Sequence, residues 1–229
     1  MTKNILVIDI GGSHVKLMLS RAQKRKFESG ADLTPREMLA QMKPLLSDWK
    51  FDAVSIGFPA PIRNGRILDE PKNLGSGWRR FNFEKALRKP VRIVNDAAMQ
   101  ALGSYRGGRM LFLGLGTGLG STLVWRRSVL PFELGDLPYQ DDAVIEDYLG
   151  KAGLKRLGET EWRRQVIRAA EQLKKSFIAD YVVLGGSGAK KLDALPDMIE
   201  LGHNRNAFLG GVRLWQVDPR TRRPKWNIL

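Results

Sequence analysis

Near its start the chain changes from an unbroken run of apolar residues to an alternating pattern. Residues 5–8 are all apolar, Asp9 and one more apolar residue follow, and two glycines and a serine (residues 11–13) then break the run. Alternation resumes over residues 15–19. The pattern predicts a buried strand, a tight turn that we call the first glycine turn, and a second strand. Glycines there can adopt positive φ and admit another group to the backbone, although an ordinary hairpin in which Asp9 caps the turn fits equally well.

The same order of elements returns later in the chain. An apolar run at residues 110–115 ends in a second glycine turn (residues 116–118), and apolar residues resume at 123–125. Another apolar run, residues 181–184, leads into a third glycine turn (residues 185–187). The likeness of the first two stretches predicts a duplicated unit, with one copy at the start of each half.

Helical spacing marks the segments between these strands. Thr34 and Glu37 form a capping box around Pro35, which suits a first helical position, and Pro44 is expected to interrupt that helix. Strands that alternate with helices indicate an α/β architecture. Further helices are predicted over residues 83–89, 97–105, 143–149, 161–177 and 206–215, and further strands over 52–58 and 91–94.

The polar, basic tail from residue 217 is expected to be loosely ordered or to pack back on the first half.

The charge balance changes this picture by suggesting partners. The chain of 229 residues has 38 lysines and arginines against 24 acidic residues, a net charge of +14. Such a charge predicts attraction to polyanions, of which nucleic acid and a polyphosphate chain are two. The basic pairs are scattered and lack the aromatic signature of RNA-binding modules, so charge alone does not separate these partners from a merely solvated surface.

Composition also excludes several classes of site. There is no cysteine and there are two histidines, which rules out disulfides, thiolate-bound metals and a site of several histidines within one chain. No run of about 18 apolar residues occurs, so no transmembrane helix is expected. The early start of the first strand leaves no room for a signal peptide, and a cytoplasmic location is expected.

The glycine turns are the candidate chemistry. Backbone N–H groups in such turns, with the Ser13 hydroxyl, can receive phosphate oxygens. Asp9, at the end of its strand, can hold Mg²⁺ directly or through water, because Mg²⁺ uses few carboxylates and keeps several waters. Three such turns at strand ends are stronger support than one, since open α/β sheets bind ligands there. None matches the Walker pattern or the dinucleotide fingerprint in its proper context.

Taken together, the motifs resemble those of a known superfamily. The set Asp9-Ile-Gly-Gly-Ser-x-x-Lys16, Leu115-Gly-Thr-Gly-x-Gly120 and Leu184-Gly-Gly-Ser187 resembles the two phosphate motifs and the adenosine motif of the sugar kinase/actin/heat-shock-chaperone superfamily. Within it the chain resembles the ROK family of sugar kinases, and most closely the polyphosphate glucokinases. The supporting matches, in the same order as in the family, are residues 57–61, 71–74 with 77–78, 95–97 and 133–136.

The resemblance covers most of residues 4–216 and implies a fold. It implies two similar ribonuclease-H-like α/β domains of the actin-like ATPase fold, with a cleft between them. The smaller N-terminal domain would cover residues 1–98 and carry the first phosphate motif and the sugar loop. The larger C-terminal domain would cover residues 99–229 and carry the second phosphate and adenosine motifs. The family often dimerises, so the resemblance also implies a homodimer.

The resemblance also implies an activity, the Mg²⁺-dependent transfer of a phosphoryl group to a hexose. The donor would be polyphosphate, ATP or both, and the acceptor would be the 6-hydroxyl of glucose. Asp96 would be the base that takes the proton from that hydroxyl, although without the other motifs a helix cap would be the preferred reading of this residue. The residues implied to bind donor phosphates are Asp9, Gly11, Gly12, Ser13, Lys16, Gly116, Thr117, Gly118 and Gly120. The residues implied to bind the sugar are Asn73, Asn95, Asp96, Glu133, Asp136 and Glu146, and those implied to approach a nucleotide are Gly185, Gly186 and Ser187.

Several of these residues have plainer alternatives. Lys16 is a structural cation or one that steers phosphate. Glu133 fits an exposed loop acid and Glu146 a solvated helical residue. Ser187 fits a helix cap after a strand-to-helix turn.

The chain also departs from the family pattern. Asp136 stands where histidine is usual, and a carboxylate can only accept a hydrogen bond where histidine can donate one. That difference puts glucose in doubt and motivates a second hypothesis, a weak or inactive sugar or nucleotide sensor on the same fold. A third is a nucleic-acid-binding regulator, but such relatives carry a DNA-binding segment ahead of the first phosphate motif, which here begins at residue 5, so nucleic acid is not expected as a partner. Ser13 replaces the usual threonine and keeps its hydroxyl.

Overall fold

The computed structural model describes residues 3–203 and 205–229, and it divides their strands between two main sheets. In the first sheet the strand order is β3-β2-β1-β4-β7, with β1, β4 and β7 parallel and β2 and β3 antiparallel to their neighbours. A separate hairpin pairs β5 with β6. These strands are β1 (Ile5–Ile10), β2 (His14–Met18), β3 (Lys24–Glu28), β4 (Ala53–Phe58), β5 (Ile62–Arg63), β6 (Arg66–Ile67) and β7 (Val91–Asn95).

The second sheet repeats the first and adds one strand. Its order is β12-β11-β8-β9-β10-β13, so that the run from β10 to β12 has the same order and directions as the run from β3 to β7. The predicted duplication is therefore confirmed at the level of topology. The strands are β8 (Arg109–Leu115), β9 (Leu119–Trp125), β10 (Ser128–Phe132), β11 (Tyr181–Gly185), β12 (Ile199–Leu201) and β13 (Asn227–Ile228).

Seven α-helices are found in the described part of the chain. The first begins with the predicted capping box, in which the Thr34 side chain accepts from the backbone N–H of Glu37, and it ends one residue after Pro44. The helices are α1 (Pro35–Leu45), α2 (Phe83–Leu87), α3 (Asp96–Ser104), α4 (Ile145–Leu149), α5 (Lys151–Leu157), α6 (Glu159–Ser176) and α7 (Asn206–Arg213). Within residues 3–203 and 205–229, none combines the length and apolar character needed to cross a bilayer.

Helices α3 and α7 lie between the two sheets and join the halves. They pack so closely that a methyl group added to Gly103 or Gly210 would collide with the backbone of the other helix. A methyl group on Gly211 would lie 2.6 Å from the Val7 side chain in β1. Gly210 and Gly211 thus form the surface through which α7 packs on α3 and β1.

Three buried clusters form the core, and one of them spans both halves. One lies between the second sheet and α4 and α6, and another between the first sheet and α1. The third contains side chains of both sheets with those of α3 and α7. The two halves are therefore held together by a shared apolar layer as well as by the chain connections.

The C-terminal tail corrects one expectation. Instead of being loosely ordered or lying on the first half, it ends in β13, which pairs with β10 of the second sheet. The Trp226 ring packs edge-on against Tyr105, and Arg127 forms an ion pair with the buried Asp218. Because β10 would otherwise be an edge strand, the tail supplies its missing hydrogen-bond partner.

Candidate active site

The first glycine turn joins β1 to β2 and leaves backbone donors free. The Gly11 N–H donates to the carbonyl of His14 at 3.0 Å. Neither glycine has the positive φ that such turns often require. A methyl group added to Gly12 would instead lie 3.1 Å from Cβ of Asn73, so glycine here makes room for that loop. Among the described hydrogen bonds none uses the N–H of Gly12 or Ser13, and both are free to receive an anion.

Asp9 is buried beside this turn and pairs with a lysine. Its Oδ2 atom accepts from Nζ of Lys16 at 3.1 Å, while the side chain itself is only 9% exposed. It does not cap the turn, because its partner lies across the strand pair. Lys16 therefore serves at least as the counter-ion of Asp9.

The metal-binding capacity of this region is limited. No group of three or more acidic or histidine side chains in the described residues could hold a metal ion. One buried carboxylate at the end of β1 still fits Mg²⁺, because Mg²⁺ is commonly held by one or two carboxylates with substrate phosphates and water supplying the rest. Asp9 thus suits an ion that arrives with a phosphate donor.

The second glycine turn joins β8 to β9 and is hydrogen-bonded to the first residue of α5. The backbone N–H of Lys151, the first residue of α5, donates to the carbonyls of Gly116 and Thr117, both at 3.1 Å. Thr117 is exposed. Among the described hydrogen bonds none uses the N–H of Thr117 or Gly118, so this turn also presents free donors. Each half therefore contributes one turn able to bind an anion.

Asp96 begins α3, and Asn95 rather than Asp96 caps that helix. The Asn95 side-chain oxygen accepts from the N–H groups of Ala97 and Ala98 at 2.9 and 3.3 Å. Its amide nitrogen donates to the carbonyl of Ala60 at 3.4 Å, so Asn95 has protein partners on both sides. Asp96 Oδ1 accepts from the Ala97 N–H at 2.8 Å.

The surroundings of Asp96 raise its pKa from 3.8 to about 7. The main cause is burial, since the carboxyl is partly enclosed by protein, and the next is repulsion from the charge of Asp9. The hydrogen bond from Ala97 acts in the opposite direction, and Glu133 contributes a weaker repulsion. Asp96 therefore lies near the end of β1 and titrates close to neutral pH.

Helix α3 also touches the strand that follows the second glycine turn. A methyl group added to Gly120 in β9 would lie 2.7 Å from Cβ of Ala97, the residue after Asp96. Glycine at this position lets the start of α3 lie directly on β9. The start of α3 thus contacts the second strand-turn-strand unit, while Asp9 of the first unit is close enough to act on the charge of Asp96.

Three acids from the second half gather near a lysine from the first half. Lys72 Nζ lies 3.6 Å from Oε1 of Glu146 and 3.9 Å from Oδ1 of Asp136. Although Glu133 is exposed, partial loss of solvent raises the pKa of its carboxyl, as does repulsion from Asp136, while Lys72 lowers it. The sequence did not indicate Lys72; its position beside Asn73 was the only available signal.

Glu146 also contacts the second glycine turn. Its Oε2 atom accepts from the N–H of Leu119 at 3.4 Å, and a methyl group added to Gly118 would collide with this carboxylate. The alternative that Glu146 is simply a solvated helical residue does not fit these contacts. Asp136, by contrast, is exposed.

The third glycine turn packs beside the second. Gly186 has φ of +81°, and a methyl group there would collide with the carbonyl oxygen of Leu115 at the end of β8. Ser187 is exposed, and its side chain makes no capping bond to the short 3₁₀ helix that follows (Gly188–Lys191). The alternative reading of Ser187 as a cap is therefore wrong.

A wide groove in the described structure lies away from these residues. It encloses about 1220 Å³ between β7, the β5–β6 hairpin and the C-terminal tail. None of the site residues predicted from the sequence lines it. The three glycine turns and Asp96 instead follow the carboxyl ends of β1, β8, β11 and β7, the edge where open α/β sheets bind ligands.

One curated relative has a recorded activity. A glucokinase from Pyrobaculum calidifontis is 31% identical over 150 residues, which cover 62% of this chain and 46% of the relative. The chain thus matches less than half the length of that relative. No protein-family model matches the chain.

Solved structures match over nearly the whole chain. An inorganic polyphosphate/ATP-glucomannokinase from Arthrobacter sp. strain KM has a TM-score of 0.76 at 21% identity, covering 91% of this chain and 96% of its own. A ROK family glucokinase from Streptomyces griseus, in complex with glucose and AMPPNP, has a TM-score of 0.72 at 16% identity, covering 91% and 98%. The chain therefore has the α/β, actin-like ATPase fold of these sugar kinases, which confirms the predicted fold class.

Proposed function

We propose that the chain is a ROK-family sugar kinase, which transfers a phosphoryl group from ATP, inorganic polyphosphate or both to a hexose hydroxyl. The observation that carries the proposal is the position of Asp96. Its carboxyl, with a pKa of about 7, stands near Asp9 at the end of β1, and its neighbour Ala97 packs on Gly120 after the second glycine turn. The similarity to a glucokinase and to a glucomannokinase supports the same reaction class.

The two glycine turns would hold the donor phosphates from opposite sides. Phosphoryl transfer depends on positioning and on neutralising charge more than on covalent chemistry. The free N–H groups of residues 12, 13, 117 and 118 supply fixed donors for phosphate oxygens. The Ser13 and Thr117 hydroxyls and Lys16 would add to them, while Gly11, Gly116 and Gly120 would shape the backbone.

Asp96 would act as the base toward the sugar hydroxyl. A base with a pKa near the working pH combines a useful ionised fraction with useful proton affinity, and it contributes roughly 10²–10⁴ in rate. Asp9 would hold Mg²⁺ through water molecules. When bound with the donor, the ion would neutralise charge on the phosphate oxygens.

The sugar would lie between Asp96 and the acids of the second half. Asn73, Glu133, Asp136 and Glu146 would provide its polar partners, and the 6-hydroxyl of glucose would face Asp96. Asn95 would contribute mainly by capping α3, since its amide already has protein partners. The third glycine turn, through Gly185, Gly186 and Ser187, would approach the nucleoside when ATP is the donor.

We place the boundary between an N-terminal domain and a C-terminal domain near residue 98, a division supported by the separate sheets on either side. Helix α7 crosses this division, because it belongs to the second part of the sequence and packs on β1 and β4. A homodimer in the cytoplasm is part of the proposal and rests on the family resemblance.

A screen of hexoses against both donors tests the function. Purified protein with Mg²⁺ is incubated with glucose, mannose or glucosamine and with either ATP or polyphosphate, and phosphorus NMR records the product. We expect a hexose 6-phosphate from at least one pair. Calorimetric sugar binding without any phosphorylated product would favour the sensor, which is motivated by Asp136 standing where the family usually has histidine. Neither binding nor product would contradict both functions.

A further inference from the structure

One loop of the first half reaches both glycine turns. It runs over residues 71–74, between the β5–β6 hairpin and α2. On one side Asn73 lies against Gly12 of the first glycine turn. A methyl group added to Gly12 would lie 3.1 Å from Cβ of Asn73. The residue before it, Lys72, points to the second half and contacts Glu146 and Asp136.

Glu146 continues this connection to the second glycine turn. Its Oε1 atom faces Lys72 at 3.6 Å, and its Oε2 atom accepts from Leu119, the residue directly after that turn. A single carboxylate therefore contacts the lysine of one half and the phosphate turn of the other. The path from Gly12 to Gly118 runs through three side chains, those of Asn73, Lys72 and Glu146.

We propose that Lys72 is a positioning residue that couples the sugar site to the donor-phosphate turns. Its ammonium group holds the loop of residues 71–74 against Glu146 and Asp136, so that a ligand on either side favours the arrangement that the other ligand needs. This inference rests on the proposed function, because it assumes that Asn73 and Glu146 touch the sugar and that the glycine turns touch the donor.

Charge supports a mobile contact of this kind. Lys72 is the cation found close to Glu133, Asp136 and Glu146 in the described structure, and its side chain is 78% exposed. Exposed ion pairs are weak and are screened by salt, each changing an equilibrium by at most about fivefold. The contact can therefore form and break as ligands bind, and it can transmit a coupling of several-fold between the two sites.

Calorimetry measures this coupling directly. Glucose is titrated into the full chain alone and with a saturating donor probe, either a non-hydrolysable ATP analogue with Mg²⁺ or inorganic tripolyphosphate. The coupling factor is the ratio of the two dissociation constants for glucose. We expect about three- to tenfold in the wild type, reduced close to one in Lys72→Met, with the affinity for glucose alone changed by less than about threefold. Lys72→Arg should keep the coupling.

Lys85→Met is the matched control, since Lys85 is an exposed lysine of the same half for which no ion pair is found among the described residues. It should retain the wild-type factor, and higher salt should lower that factor in the wild type but not in Lys72→Met. A merely structural lysine would alter stability without moving the ratio. Coupling that is unchanged in Lys72→Met, or absent from a wild type that binds and phosphorylates glucose, would overturn this inference alone. A wild type that binds neither glucose nor a donor probe would overturn the proposed function with it.

Discussion

The first and second glycine turns close the same kind of hairpin, but the strand positions beside them carry different residues. In the first, Asp9 faces Lys16 one pair below the turn, and the two form an ion pair. At the matching register of the second, Gly114 faces Gly120. One unit thus places a charged pair where the other places two glycines.

This difference explains how a repeated fold builds one site. The charged pair gives the first unit a buried carboxylate near Asp96, whose charge adds to burial in raising the pKa of Asp96. In the proposed function this carboxylate would also hold Mg²⁺. The glycine pair gives the second unit a bare surface on which the start of α3 rests. The first unit supplies charge, and the second supplies the room that lets α3 bring Asp96 to that charge.

The largest effect is expected from Asp96, the residue that both units position. Asp96→Asn should lower kcat for hexose phosphorylation by about 10²–10⁴ while leaving sugar binding intact, because the amide keeps the shape but cannot take a proton. Steady-state kinetics and calorimetric sugar binding measure the two quantities. Turnover within a few-fold of the wild type would remove Asp96 from the role of base.

The same variant should change how stability depends on pH. The folded-state pKa of Asp96, about 7, lies above its ordinary value of 3.8, so folding favours the protonated form. This contribution is complete below about pH 4 and is lost as pH rises through about 7. Between pH 5 and pH 8 the wild type should therefore lose about 1–3 kcal/mol of unfolding free energy relative to Asp96→Asn.

Urea unfolding of both proteins at the two pH values measures that difference. The variant should be the more stable protein at pH 8, with a smaller advantage at pH 5. Parallel pH dependences would show that the surroundings of Asp96 do not disfavour its charge.

The bare surface of the second unit can be tested by filling it. Gly120→Ala places a methyl group 2.7 Å from Cβ of Ala97 and should cost about 1–3 kcal/mol of unfolding free energy. Gly30→Ala is the matched control, because nothing lies within 4 Å of its added methyl group and it should cost little. Adding Ala97→Gly to Gly120→Ala should recover part of the loss. Equal stability of the two alanine variants would contradict close packing of α3 on β9.

The charged pair of the first unit can be tested by neutralising it. Asp9→Asn removes the second cause of the raised pKa of Asp96, so the acid limb of the pH–rate profile should move to lower pH. Loss of the carboxylate should also raise the Mg²⁺ concentration needed for half-maximal rate. A limb that stays in place would show that Asp9 does not act on Asp96.

Much of this arrangement could be predicted from local sequence patterns. The turn after β1, the capping box of α1 and the duplicated hairpin all depend on residues close together in the chain. Strand β3 (Lys24–Glu28) was not predicted, because its residues are mostly charged and it forms only by pairing with β2. Helix α5 was missed because it follows α4 with only Gly150 between them.

The contacts that define the site were beyond those patterns. The pairing of Asp9 with Lys16 depends on register, and the contact of Lys72 with Glu146 joins residues of different halves. The course of the tail could not be read from its polar composition either, since β13 forms by pairing with the distant β10, and Trp226 and Ile228 pack on the core shared by the two halves. Long-range packing decided each of these features.

The most direct test of the central claim is the pH dependence of kcat/KM for hexose phosphorylation, measured in the wild type and in Asp96→Asn with donor and Mg²⁺ saturating. If Asp96 is the base held between the two units, the wild-type rate should fall about tenfold per pH unit below an apparent pKa near 7, and the residual rate of the variant should lack that limb. A wild-type profile that is flat across this range, or the same limb in both proteins, would contradict the account.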